Sequence, residues 1–195
     1  MAPPRLIAAA LAVTALAGCV SLTPAERESA EEAQRFLDET SRAYGVQRVT
    51  LMLGSAGRGD AATIRAGGLI TLNEKFLGDR DVRDKVLAHE MAHLILGHMD
   101  RPPESRDARE RREIEADVQA VEILRRVRGM TEARAFALVT AYALALKKDL
   151  DGGGRVDAMG HGHPCLKVEG LIRAYPRQQA VLDLLQADPS LGRCP

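Results

Sequence analysis

His89 and His93 stand four residues apart inside "DVRDKVLAHEMAHLILGH", with Glu90 directly after the first. At about 100° per residue, two helical positions four apart lie only about 40° from each other, so both imidazoles face the same way. Leu87, Ala88, Met91, Leu94 and Ile95 fill the opposite side. Polar side chains inside a largely apolar helix are costly unless something satisfies them. The spacing His-Glu-x-x-His answers that cost with a divalent ion. Both histidines reach one zinc, and Glu90, rotated by about 100°, lies beside the pair where it can act on a bound water. The bland alternative is a pair of histidines hydrogen-bonded within the core. The expected helix runs from Asp81 to His98, with Asp81 as its cap and Asp84 in the first turn. His98 lies about 180° from His89 and is left out of the ligand set. A longer pattern with a glycine at position 96 and a histidine at 99 does not apply, because the chain carries Leu96 and Met99.

A catalytic zinc takes three protein ligands, and the third must come from outside this helix. Glu104, Glu110, Glu113, Glu115 and Glu122 lie downstream. In a helix through this region, Glu113 shares the mainly apolar, alanine-containing face with Ala116, Asp117, Ala120, Ile123 and Leu124. Glu115 and Glu122 fall on the polar side. A hairpin at Pro102-Pro103 would lay the second helix antiparallel to the first and bring Glu113 to His93. Asp117, one turn further on, would accept the other N–H of a ligating histidine. The alternative for Glu113 is a surface residue paired with an arginine.

The remaining chain suggests a mostly helical α+β fold. Thr23, Pro24 and Glu26 form a capping-box start for a helix that Gly45 ends. "VQRVTLML" and "GLITLNEKFL" read as strands, and the five glycines between residues 54 and 68 mark a loop. Gly129 ends the Glu113 helix. Thr131 caps a further helix, apolar almost all round and so expected to be buried. One or two short helices, in "CLKVEGLIRAY" and "PRQQAVLDLLQA", close the chain. With 195 residues and no internal repeat, residues 19–195 are expected to form a single domain. Net charge is zero, aromatics are 3%, and Trp is absent, which argues against nucleic acid as a partner.

Residues 1–18 carry one early cation, Arg5, and an apolar run too short to span a bilayer. That run ends in Leu16-Ala17-Gly18-Cys19, which resembles the lipobox of bacterial lipoproteins. The resemblance implies cleavage before Cys19, its lipidation, and a membrane anchor on the periplasmic side. Ser21, in place of aspartate, favours the outer membrane. The alternative is an ordinary secretory signal with an incidental cysteine. With Cys19 lipidated, Cys165 and Cys194 remain as an even pair in an oxidising compartment. The alternatives are free thiols, or Cys165 near the metal.

"HEMAH…GH" followed by "EIEAD" resembles the HtpX-like and CAAX-prenyl-protease-like zinc metallopeptidases, a gluzincin family. The matching positions are His89, Glu90, His93, Gly97, His98, Glu113 and Asp117, over roughly residues 65–150. The resemblance implies a zincin-like core with a small sheet beside the active-site helix, and "GGLITLN" as a substrate-aligning edge strand. It also implies one zinc on His89, His93 and Glu113, with Glu90 as general base. His163-Pro164 matches part of a family loop motif, although Arg173 follows late. His163 either donates to the oxyanion or merely sits in a loop. The activity implied is endopeptidase cleavage of polypeptides, with unfolded envelope proteins as a fitting substrate class held by strand addition near Leu69–Leu72. A rival reading is a non-catalytic envelope lipoprotein with a structural zinc. A second resemblance, to ImmA/IrrE-type metallopeptidases, fits poorly with a signal peptide.

Overall fold

The computed structural model describes residues 22–54, 62–65, 67–100, 103, 105–153 and 162–195. The signal segment, Cys19, Ser21, Pro102 and Glu104 lie outside the described residues. The fold is α+β and mostly helical. Helix α1 spans Pro24–Tyr44, and strands β1, β2 and β3 span Thr50–Leu53, Ala62–Arg65 and Leu69–Leu72. Helices α2 (Arg80–Ile95), α3 (Arg106–Arg128) and α4 (Glu132–Asp151) follow. Two shorter helices, α5 (Pro164–Ala174) and α6 (Gln179–Ala187), come last.

Local chemistry sets most of these ends. Thr23 and Glu26 make the reciprocal capping box, and Gly45 and Gly129 close α1 and α3 in the left-handed conformation. Ser105 caps α3 and Thr131 caps α4. Two ends of α2 differ from expectation. Asp79, not Asp81, accepts the N–H of Val82 and caps the helix, while Asp81 pairs with Arg134 on α4. The regular helix then stops at Ile95, short of His98, because Gly97 takes φ 68° and turns the chain. Helix α4 is buried along one face, through Ala135, Phe136, Val139, Thr140, Ala143 and Leu144, and only partly elsewhere, rather than all round.

The sheet departs more from the sequence reading. Its order is β1-β3-β2, with β1 parallel and β2 antiparallel to β3. Strand β2 lies within the stretch read as a loop. Four residues among glycines carry too weak an alternation to stand out, and pairing with β3 supplies their ladder. Strand β3 is therefore central, not an edge, and both of its sides are occupied. It cannot accept an added strand near Leu69–Leu72.

One apolar core joins these parts: Phe36 and Leu37 from α1, Ile70 and Leu72 from β3, Leu87 and Met91 from α2, and Ile123 and Leu124 from α3. Gln34 ties α1 to β1, donating to the Val49 carbonyl and accepting from the Leu51 N–H, both at 2.8 Å. Buried Arg83 reaches Glu32, Asp84 and the Ser29 carbonyl, and Arg128 of α3 holds Asp84 at 2.6 Å. The start of α2 is thus clamped between α1 and the end of α3. Cys165 and Cys194 form the expected disulfide, fastening the C-terminal tail to the start of α5. In the chain-entropy picture such a closure contributes about 3–4 kcal/mol.

Candidate metal centre

Helices α2 and α3 run antiparallel. The pairing sequence shows this, since Asp84 meets Arg128, Lys85 meets Asp117, and His93 meets Glu113. The alanines on the shared face of α3, Ala116 and Ala120, are fully buried and permit the close approach. This antiparallel packing of α2 and α3 brings Glu113 to the histidines.

His89, His93 and Glu113 converge into one group that can hold a metal ion. His89 Nε2 and His93 Nε2 lie 3.2 Å apart. Glu113 places Oε2 3.2 Å from His89 Nε2 and Oε1 3.3 Å from His93 Nε2. The Glu113 carboxylate thus meets both histidine nitrogens, one through each oxygen, and the three residues together could hold a metal ion. Asp117 also stands where expected, with Oδ1 2.8 Å from His89 Nδ1. That bond takes up Nδ1 and leaves Nε2 for the metal. Glu90 is buried, only 5% exposed, and its carboxylate has no hydrogen-bond or ion-pair partner among the described residues.

The other downstream carboxylates serve different ends. Glu110 accepts the backbone N–H of His163 at 3.1 Å. Glu122 binds Arg125 and the Tyr175 hydroxyl. Glu115 is exposed and accepts from the His98 ring at 3.1 Å. The loop into α5 crosses Glu113 closely, since a Cβ on Gly162 would sit 3.5 Å from the Glu113 Cβ. His163 follows as the exposed N-cap of α5, with Nδ1 accepting the Cys165 N–H at 3.2 Å. It lies outside the metal-capable group.

Two residues that the sequence reading passed over enter the site. Lys167 of α5 lies 3.1 Å from Asp117 Oδ2 and 3.4 Å from Glu113 Oε2, fully enclosed. Lys85 of α2 lies 3.5 Å from Asp117 Oδ1, with its ammonium over the Tyr142 ring. Lys85 precedes His89 by four residues and so shares its helix face, a signal legible in the sequence. Nothing local marks Lys167, which arrives from the far end of the chain.

Burial disfavours charge on all of these groups, and their partners decide the outcome. Burial alone would raise the Asp117 carboxyl, but Lys167, Lys85 and His89 hold it well below the usual carboxylate range. Burial also works against a charged Lys167, yet two carboxylates outweigh it and its pKa rises. Lys85 has one carboxylate at a longer distance, so burial and the neighbouring Lys167 prevail and its pKa falls. His89 is pulled down by burial and up by Asp117 and Glu113, with a net rise. A raised His89 pKa would make protons compete more strongly with any metal ion for this ring, so binding there would weaken in acid.

Compared with protein-family models, curated proteins and solved structures, the chain matches none.

Proposed function

We propose that this chain is a zinc-dependent endopeptidase of the HtpX-like gluzincin type, anchored through a lipid on Cys19 at the periplasmic face of a bacterial outer membrane. The site supports zinc by its donor set and its dimensions. Two imidazoles and one carboxylate form a familiar catalytic zinc set. A tetrahedron whose ligands stand 2.0–2.1 Å from its centre has an edge of about 3.3–3.4 Å. The two histidine nitrogens stand 3.2 Å apart, near that edge, and each has one Glu113 oxygen close by, Oε2 at 3.2 Å from His89 and Oε1 at 3.3 Å from His93.

One observation carries the catalytic reading: Glu90, next to His89 in the chain, is buried with no hydrogen-bond or ion-pair partner among the described residues. A structural zinc would need no such carboxylate. A solvating partner that arrives with substrate would satisfy it. Zinc, when bound, supplies a Lewis acid that acidifies water and polarises a carbonyl. Glu90 takes the proton from the attacking water and returns it to the leaving amine. Asp117 holds His89 in orientation through Nδ1. His163, with Nδ1 engaged by the Cys165 N–H, has Nε2 left to donate to a carbonyl oxygen at the rim.

Strand β2 takes over the substrate role expected of Leu69–Leu72. It pairs on one side only among the described residues and packs against α2. An extended polypeptide added there would be read through its backbone, which suits unfolded envelope proteins. The small sheet beside α2 is consistent with a zincin-like core. No helix among the described residues is long and apolar enough to cross a membrane, so the proposed attachment rests on the lipid.

The purified chain loaded with one equivalent of zinc is expected to cleave denatured casein. Chelation should abolish cleavage, and added zinc should restore it. A protein that binds zinc tightly yet leaves every unfolded polypeptide intact would be the structural-zinc lipoprotein instead.

A further inference from the structure

His98 is excluded from the ligand set by helical phase, yet the structure gives it a defined partner on each ring nitrogen. The turn at Gly97 ends α2 early and folds His98 back beneath His93. The two rings meet edge to face, with His98 Nδ1 3.0 Å from His93 Nδ1. On the far side, His98 Nε2 lies 3.1 Å from Glu115 Oε2. Arg112 donates to the His98 carbonyl at 3.2 Å and pins the turn to α3.

We propose that His98 is a positioning residue for the metal centre, and that Glu115, through His98, sets the tautomer of His93. This rests on the metal-centre reading of His89, His93 and Glu113. Two nitrogens 3.0 Å apart need one proton between them. His93 must offer the Nε2 lone pair to a metal, so in the neutral ring its proton sits on Nδ1 and is donated to His98. The His98 proton is then on Nε2, where the Glu115 carboxylate accepts it. Every donor in the chain from His93 to His98 to Glu115 faces an acceptor, and the reverse assignment would point N–H of His93 at the metal.

The two ligating histidines are thereby supported unequally. His89 leans directly on Asp117, a carboxylate 1% exposed, while His93 leans on a neutral ring that ends at Glu115, 59% exposed on its side chain. The sequence logic of "GH" after the second ligand is then geometric. Glycine makes the left-handed turn, and the histidine one step later reaches the ligand's far nitrogen.

The test uses the full chain with zinc ions as the probe, comparing wild type, His98→Ala, His98→Gln and Glu115→Ala. Zinc affinity is read by competition with a chromogenic chelator, and ring tautomers by nitrogen-15 spectra of the imidazoles. His98→Ala is expected to weaken zinc binding 10–100-fold, as loss of such outer partners does, and to mix the His93 tautomers. His98→Gln, whose amide oxygen can accept from Nδ1, should recover most of the affinity. Glu115→Ala, at an exposed position, should weaken binding a few-fold and free the His98 tautomer. Wild-type affinity and an unchanged His93 tautomer in His98→Ala would overturn the proposal. Should that variant fail to fold, an unchanged His98 tautomer in Glu115→Ala would overturn it equally. A wild type that binds no zinc but shows the His93 Nδ1–H tautomer would sink the metal reading and leave the relay standing.

Discussion

Glu90→Gln is expected to retain one zinc per chain and to lose about 10²–10⁴-fold in polypeptide hydrolysis, the range that a positioned acid–base group contributes. The change keeps the side chain's size and removes its capacity to hold a proton. Glu90 makes no hydrogen bond or ion pair among the described residues, so the substitution breaks no contact that holds the fold. Stability should therefore stay near wild type, which separates a chemical defect from an unfolded one. Glu113→Ala makes the opposite cut. It removes a donor that stands 3.2–3.3 Å from both histidine nitrogens, so metal and activity should fall together. Metal content by atomic absorption and cleavage of denatured casein read both variants. Undiminished turnover in Glu90→Gln would remove the proposed base, and full zinc in Glu113→Ala would remove the proposed third ligand.

Asp117→Ala is expected to destabilise the metal-free chain by about 3–5 kcal/mol, the usual consequence of stranding a buried charge. Asp117 is the shared counter-ion of Lys85 and Lys167 and the partner of His89, all buried. Without it, Lys167 keeps Glu113 at 3.4 Å, and Lys85 keeps only the Tyr142 ring among the contacts described above. A loss of that size is a large fraction of an ordinary folding free energy. The midpoint of urea unfolding reads it. Adding Lys85→Met and Lys167→Met to Asp117→Ala should recover much of the loss, since no ammonium then lacks a partner. Equal midpoints for Asp117→Ala and wild type would show that these lysines are neutral in the fold or find water.

Much of the candidate site was legible because it rests on short-range geometry. His89 and His93 share a face through the helical repeat alone, and Glu113 and Asp117 emerge from the same repeat applied to α3. The capping box at Thr23, the stops at Gly45 and Gly129, and the cap at Thr131 depend on neighbouring residues and held for that reason. The end of α2 carries its own local signal: Gly97 follows His93 by one helical turn, and a left-handed glycine ends a helix. A helix continued to His98 would keep that ring about 180° from His89, whereas the turn at Gly97 brings it to His93.

The sheet was the least legible part. Strand order is set by partners far apart in sequence, and a four-residue strand such as Ala62–Arg65 has little pattern of its own. Lys167 was invisible for the same reason. It reaches Glu113 and Asp117 across fifty residues of chain or more, on a helix whose start the Cys165–Cys194 bridge fastens.

The sequence by itself determined the course of the main helices, the caps at Thr23 and Thr131, the stops at Gly45 and Gly129, and the sharing of one face by the two histidines, and by Glu113 with Asp117. Each of these follows from bonds and angles repeated over a few residues. Only the tertiary structure decided that β3 is enclosed, that two lysines surround Asp117, and that His98 supports His93. Those outcomes depend on which distant surfaces meet when the apolar faces are buried, and no local periodicity encodes that choice.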